Sequence, residues 1–246
     1  MVFNDSYILA VETSSRTGSV AAGRGGTILG ELEFTAGARH GVELIPAVDR
    51  LVREANLKPD QFEIICVSAG PGSFTGLRVG FTFARSLAQI SGAKLVQVPS
   101  TEVIVANLHD QLAAEPGPVF VAPIMDAKRG QVYTAGFRWH AGGLEKVLNE
   151  TAITPAQLLG QLGRPAWITG EGIDYHRQAF ANHPDVVLTD QTLWRPRAKN
   201  VLTLGLEKAH RNEFTELNHL LPTYVRLPEA EERWQKRQEN ASQTNP

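Results

Sequence analysis

The sequence predicts a duplicated mixed α/β fold in which one order of elements, βββαβαβα, is written twice. Three observations predict it. The hydrophobic pattern up to residue 115 and the pattern from residue 116 pass through the same succession of strand and helix periods. In each half the first strand closes on a carboxylate, Glu12 or Asp126, and a glycine turn, Gly18 or Gly130, opens the second. Between the halves, the run from Glu115 to Pro118 is the strongest break in the chain. The expected units are therefore residues 1–115 and 116–228, with 229–246 a polar tail expected to fray. A cleft between two such units is the natural place for a ligand.

Each element follows from a local pattern. Tyr7–Glu12 is a short apolar run, and Ser14–Gly18 is rich in turn formers. Ser19–Ala22 and Thr27–Phe34 read as strands separated by Gly23, Gly25 and Gly26. From Val42 to Leu57, Leu44, Ile45, Val48, Leu51, Val52 and Ala55 recur at helical spacing, with Pro46 early in the helix. His40 precedes it as a candidate entry cap. Glu63–Ala69 is continuous enough for a strand buried on both faces. The loop Gly70–Gly76 leads to a helix that Gly92 stops in the left-handed conformation. Lys94–Val98 is a strand, and Ser100 is the expected cap of a helix reaching Ala113.

In the second unit, Val119–Asp126, Gln131–Trp139 and Leu144–Asn149 are strands. Thr154 caps a short helix with Pro155 at its first position and Gly163 past its end. Ala166–Thr169 and Val186–Leu188 are strands; Ile173–Ala181 and Ala198–Arg211 are helices. Pro222–Leu227 reads as a strand or an extended arm.

Of the 246 residues, 42% are hydrophobic and 20% charged, an ordinary globular mixture that excludes a fibrous or largely disordered chain. The formal charge of −2 leaves no basic excess to hold nucleic acid by counterion release alone, so an RNA contact needs a local patch or a partner. A single cysteine, Cys66, allows neither an internal disulfide nor a thiolate metal site, and it reads as buried in its strand. With no apolar run of membrane length and no leader pattern, a cytoplasmic protein is expected.

The most specific stretch is GPGSFTGLRVG, Gly70 to Gly80, between a buried strand and a helix. It reads either as a phosphate-cradling loop at a helix N-terminus or as a tight connection whose glycines permit close packing; spacing alone does not choose. It is neither a P-loop nor a dinucleotide fingerprint. The candidate nucleotide- or phosphate-binding residues are Glu12, Ser14, Gly70, Gly72, Ser73, Thr75, Gly76 and Asp126. The seven histidines show no HExxH or HxxxH spacing, so no protein-built metal site is expected. There is no GxSxG elbow and no Cys/His pair, so no catalytic residue is assigned. The helix after the glycine loop is apolar on two faces, Leu77-Phe81-Ala84-Ala88 and Val79-Phe83-Leu87-Ile90, which implies burial on two sides.

ILAVETSSRTGSVAA (8–22), His40 followed by ELIP (43–46), VSAGPGSFTGLRVG (67–80), KLVQVPST (94–101), MDAKRGQVYTA (125–135) and PTYVR (222–226) together resemble the TsaB family, also called YeaZ. The resemblance spans about residues 7 to 227. It implies the duplicated actin-like (ASKHA) fold and a place in making N6-threonylcarbamoyladenosine beside the tRNA anticodon. It implies a non-catalytic subunit that binds and activates TsaD, the paralog that transfers the threonylcarbamoyl group. The small ATPase TsaE joins the pair, and tRNA is met through the complex. No cofactor is then required by this chain, and ATP or ADP would bind weakly or be shared with the partner. An older label for the family, glycoprotease, finds no proteolytic constellation here.

Pairing in the family uses the first two long helices, here 42–57 and 75–91, with Leu44, Val48, Leu51, Val79 and Phe83 as the implied contacts. The same surface suits a homodimer. Glu12 stands where many members carry aspartate. The alternative expectation, from the glycine loop and the strand-end carboxylates, is an independent actin-fold ATP-dependent phosphotransferase or ATPase.

Overall fold

A computed structural model describes residues 3–34, 40–140 and 143–226 of the chain. The tail expected at 229–246, with Leu227, lies outside them. Two five-stranded sheets are present. The first contains β1 (Tyr7–Glu12), β2 (Gly18–Arg24), β3 (Thr27–Phe34), β4 (Phe62–Ser68) and β5 (Lys94–Val98), in the order β3-β2-β1-β4-β5. The second contains β6 (Val119–Asp126), β7 (Val132–His140), β8 (Gly143–Ile153), β9 (Ala166–Thr169) and β10 (Val186–Leu188), in the order β8-β7-β6-β9-β10. In each sheet the first three strands are antiparallel and the last two join in parallel. The two orders are identical, and with the helices between them they form the duplicated actin-like fold.

Each sheet is covered on both faces. Helices α1 (His40–Glu54) and α2 (Phe74–Ser91) bury Leu44, Val48, Leu51, Phe81 and Ala84 against Leu9, Val11, Ile65 and Val67. On the opposite face lies α7 (Ala198–His210), whose Val201, Leu202 and Leu206 meet Ile8, Ala10, Ile64 and Val96. In the second sheet, α5 (Pro155–Gln161) and α6 (Ile173–Phe180) pack Leu158, Ile173 and Phe180 against Ala122, Ile124 and Ile168. Its other face receives α3 (Ser100–Val105), the 3-10 turn that follows it and α4 (His109–Ala113), through Val105, Leu108 and Leu112 respectively, against Val121 and Phe137. The units expected at 1–115 and 116–228 thus exchange cover: the last helices of the first lie on the second sheet, and the last helix of the second lies on the first.

Several caps form where the sequence places them. Gly92 is left-handed (φ 75°) and its N–H donates to the Ala88 carbonyl at 2.9 Å, ending α2. Thr154 and Gln157 form a reciprocal capping box with Pro155 at the first position of α5. Other expectations are corrected. Ser100 is the first residue of α3 and caps nothing; Pro99 precedes the helix without a side-chain cap, and the helix expected to reach Ala113 is broken by a 3-10 turn at Ala106–Leu108. His40 is already inside α1 and turns its ring inward. Residues 222–226 form no strand; they are an arm held by the Thr223 N–H on the Ala69 carbonyl at 2.7 Å.

Candidate functional site: an apolar helix pair and a closed cleft

Two places gather the residues singled out in the sequence. One is the glycine loop at the cleft between the sheets, and the other is the outer side of α1 and α2.

The loop begins where β4 ends. Its amides turn inward: the Gly70 N–H donates to Ser100 Oγ at 3.0 Å, the Ser73 N–H to the Ser14 carbonyl at 2.7 Å, and the Gly76 N–H to Ser73 Oγ at 3.2 Å. Ser100 Oγ also shares a hydrogen bond with Ser68 Oγ at 2.7 Å. A side chain at Gly72 would overlap the Ser14 carbonyl, and one at Gly76 the Thr13 carbonyl. These glycines are there for close approach: they let α2 start directly against the end of β1. Of the two readings of GPGSFTG, tight packing is the one the hydrogen bonds of Gly70, Ser73 and Gly76 serve. His40 completes the brace, its Nε2–H donating to the Ser15 carbonyl at 2.9 Å.

Ser14, Gly72, Ser73 and Asp126 do line one cavity of about 260 Å³, with Arg16, Lys128, Glu171, Asp174 and Tyr175. Glu12 does not reach it openly, being fully buried. Its Oε1 accepts the Ser14 N–H at 2.5 Å, while Oε2 has no partner. Burial raises its carboxyl above the usual range, against the lowering effect of Ser14 and Ser68. At Asp126 burial pushes upward too, but the Lys128 ammonium at 2.6 Å and the Lys128 N–H at 3.0 Å hold the carboxyl below its ordinary value. A lysine tethered two residues away therefore supplies the positive charge that balances this carboxylate. Glu171 is raised by burial, opposed by Arg195 and Arg16. No group of three or more His, Cys, Asp or Glu side chains is placed to hold a metal among the described residues. Cys66 is sealed under α7, and burial pushes its thiol up to about 12.

Thr75, placed with the phosphate candidates from sequence, belongs to the other site. It borders a groove of about 540 Å³ between α1 and α2, together with Leu44, Ile45, Phe74, Val79 and Phe83. Val79 and Phe83 are half-buried there, as their position on the second apolar face of α2 implies. Leu44, Val48 and Leu51 are packed into the protein's own core, and only Leu44 reaches the groove floor. Instead Val42 and Ile45 stand out of α1, 70% and 65% exposed, and Ile90 is 84% exposed at the end of α2. The signal was in the sequence: Leu44, Val48 and Leu51 make the i, i+4, i+7 stripe that a helix turns to its own sheet. That leaves Val42 and Ile45 as surplus apolar residues.

The family model for TsaD, tRNA N6-adenosine threonylcarbamoyltransferase, matches residues 34–234. The tRNA threonylcarbamoyladenosine biosynthesis protein TsaB of Bacillus subtilis is 33% identical over 237 residues, 92% of this chain and 97% of that one. The Escherichia coli protein of the same name is 25% identical over 228 residues, 89% of this chain and 94% of its own. A crystal structure of a Pseudomonas aeruginosa protein with similarity to the peptidase YeaZ superposes with a TM-score of 0.76 at 24% identity. It covers 90% of this chain and all of that one. With a relative one-third identical across nearly the whole of both chains, this chain belongs to the TsaB family of tRNA threonylcarbamoyladenosine biosynthesis proteins.

Proposed function

We propose that this chain is the accessory subunit that binds and activates a TsaD-type transferase through the outer faces of α1 and α2. The observation that carries this reading is the groove lined by Ile45, Phe74, Val79 and Phe83 on two adjacent helices, with Val42 exposed on the same α1. Large apolar side chains gathered on one exposed surface are unfavourable in water and are the usual core of a protein interface. A paralog with the same fold offers a matching helix pair, so the two subunits pack as four helices and bury both apolar faces. In the absence of the transferase the same face supports a homodimer. TsaE joins the assembled pair, and tRNA is engaged by the complex.

In this reading the cleft is structural. The amides of Gly70, Ser73 and Gly76 already have partners, and Lys128 neutralises Asp126, so ATP or ADP binds this chain weakly or only together with the transferase. Transfer chemistry is assigned to the partner.

Size-exclusion chromatography with light scattering, on this chain mixed with its cognate transferase, is expected to give a 1:1 species. Ile45→Asp should abolish that species while the variant keeps wild-type thermal stability. Normal pairing by Ile45→Asp would overturn the proposed interface. Omitting this chain from a reconstituted modification assay should reduce threonylcarbamoyladenosine formation, and an undiminished rate would overturn the activating role.

A further inference from the structure

The arm at 220–226 carries the PTYVR motif, which pairing through α1 and α2 alone leaves without a role. Leu220 is fully buried in the first core, and its carbonyl accepts a hydrogen bond from the Arg85 guanidinium of α2. Thr223 is tied to the Ala69 carbonyl, and a side chain at Gly70 would press on the Thr223 carbonyl. The arm is thus fixed along α2, from Arg85 to the glycine loop. Next in the chain, Tyr224 leans on Phe74, the first residue of α2, with ring centroids 5.2 Å apart. One helical turn along, the Arg78 guanidinium carbon lies 4.9 Å from the centroid of the same Phe74 ring. Phe74 and Arg78 line the groove between α1 and α2, so an aromatic edge runs from that groove onto the arm. Both rings stay open to solvent, Phe74 by 37% and Tyr224 by 41%.

Arg78 is exposed, and among the described residues no carboxylate pairs with it. Phe74 holds its side chain in place while the N–H donors of the guanidinium remain available. The whole of α2 has two arginines, Arg78 and Arg85, and no acidic residue. A guanidinium covered by an apolar interface needs an oxygen partner, because burying it unpaired is costly. The opposing surface must therefore bring a carboxylate to this end of the groove. A second copy of this chain is poorly equipped to do so. In its helix pair Asp49 is taken by Arg53 at 2.9 Å and Glu54 by Arg50 at 2.7 Å, which leaves Glu43. An α2 facing another α2 offers arginines only. Nucleic acid fits no better, since one guanidinium beside apolar side chains is not a cationic track.

We propose that the docking face continues from the groove across Phe74 onto Tyr224 of the arm, and that Arg78 receives a carboxylate of the transferase. The inference rests on the reading of this chain as the accessory subunit of a TsaD-type transferase. It adds a third element to the interface and the charge that the partner presents to it. Aromatic rings and arginine are the side chains on which interface affinity concentrates. A carboxylate on the guanidinium fixes register and disfavours partners that lack one. The groove supplies the apolar centre of the interface and Arg78 part of its polar rim.

The test titrates the full chain with its cognate transferase by calorimetry at about 50 and 500 mM salt, with light scattering on the same samples. Arg78→Gln is expected to weaken pairing about 5- to 30-fold at low salt. Its loss should shrink at high salt, where the charge pair of the wild type is screened. Tyr224→Ala is expected to weaken pairing at least about fivefold at both salts, and Tyr224→Phe to restore it, because the ring is kept. Arg24→Gln, at the far end of the first sheet, should pair as wild type does. Melting temperatures separate a lost contact from a lost fold, and the exposed Arg78 carries the test alone if Tyr224→Ala does not fold. If the wild-type chain gives no 1:1 species, the partner reading fails and this inference with it. If that species forms and Ile45→Asp abolishes it, but folded Arg78→Gln or Tyr224→Ala loses less than about fivefold at low salt, this inference alone is overturned. It is also overturned if the loss in Arg78→Gln is the same at both salts. Weakened self-association of the lone Arg78→Gln chain, with the heterodimer intact, makes a second copy the occupant and overturns it too.

Discussion

On α1, Ile45 is 65% exposed, while Val48, three residues on, is packed against the first sheet. Aspartate at the two positions should therefore act through different free energies. At Ile45 it is expected to leave folding unchanged and prevent pairing. At Val48 it buries a charge without a partner, and a loss of about 3 kcal/mol or more of folding stability is expected by urea denaturation. Glu12 gives a second test at this scale. Because its folded carboxyl is raised, the protein pays to ionise it: its contribution is most favourable at pH below the ordinary carboxylate range and is lost as pH rises through the raised value. Glu12→Gln keeps an oxygen to accept the Ser14 N–H and removes the charge. Its melting temperature should exceed wild type at neutral pH, by about 2–4 °C for each kcal/mol, with the gap closing as the pH falls toward 4. These local environments were only partly legible in the sequence. Apolar spacing identifies two broad-faced helices, whereas the family resemblance puts the Leu44-Val48-Leu51 stripe of α1 at a partner and the structure turns it to the protein's own sheet. The strand-end position of Glu12 did not show that the carboxyl is shut inside rather than open to the cleft.

Elements whose limits are set by nearby residues lie where the sequence predicts them. β1, β3, β5, β6, β9 and β10 begin and end at the expected residues, as does the Thr154 cap, because alternation, glycine stops and caps act within a few positions. Contacts made from afar were not legible. α7 begins at the expected Ala198, but its cap could not be read locally, since Arg197 offers no capping side chain. Instead the Ala198 N–H donates to Ser19 Oγ at 2.9 Å, and the Lys199 N–H to Glu31 Oε1 at 3.1 Å, while Glu31 also pairs with the Arg197 guanidinium at 2.5 Å. Residues of β2 and β3 thus cap a helix more than 160 positions later. Glu31→Ala is expected to cost about 1–3 kcal/mol in global stability. Hydrogen exchange should localise the loss, with first-turn amides of α7 exchanging faster and those of α1 unchanged.

For the whole molecule, the doubled order of elements was legible because each copy repeats the same local signals, and repetition makes a weak pattern strong. The pairing of helices with sheets was not, since the apolar face of α7 looks the same whichever sheet it covers.

The crossed helices carry a consequence for how the polypeptide can be divided. Severed near residue 115, the leading fragment would expose the underside of its sheet where α7 belongs, and the trailing fragment would lack the roof that α3 and α4 provide. Each piece produced alone should aggregate, whereas the two produced together should recombine into one soluble particle, each completing the shelter of the other.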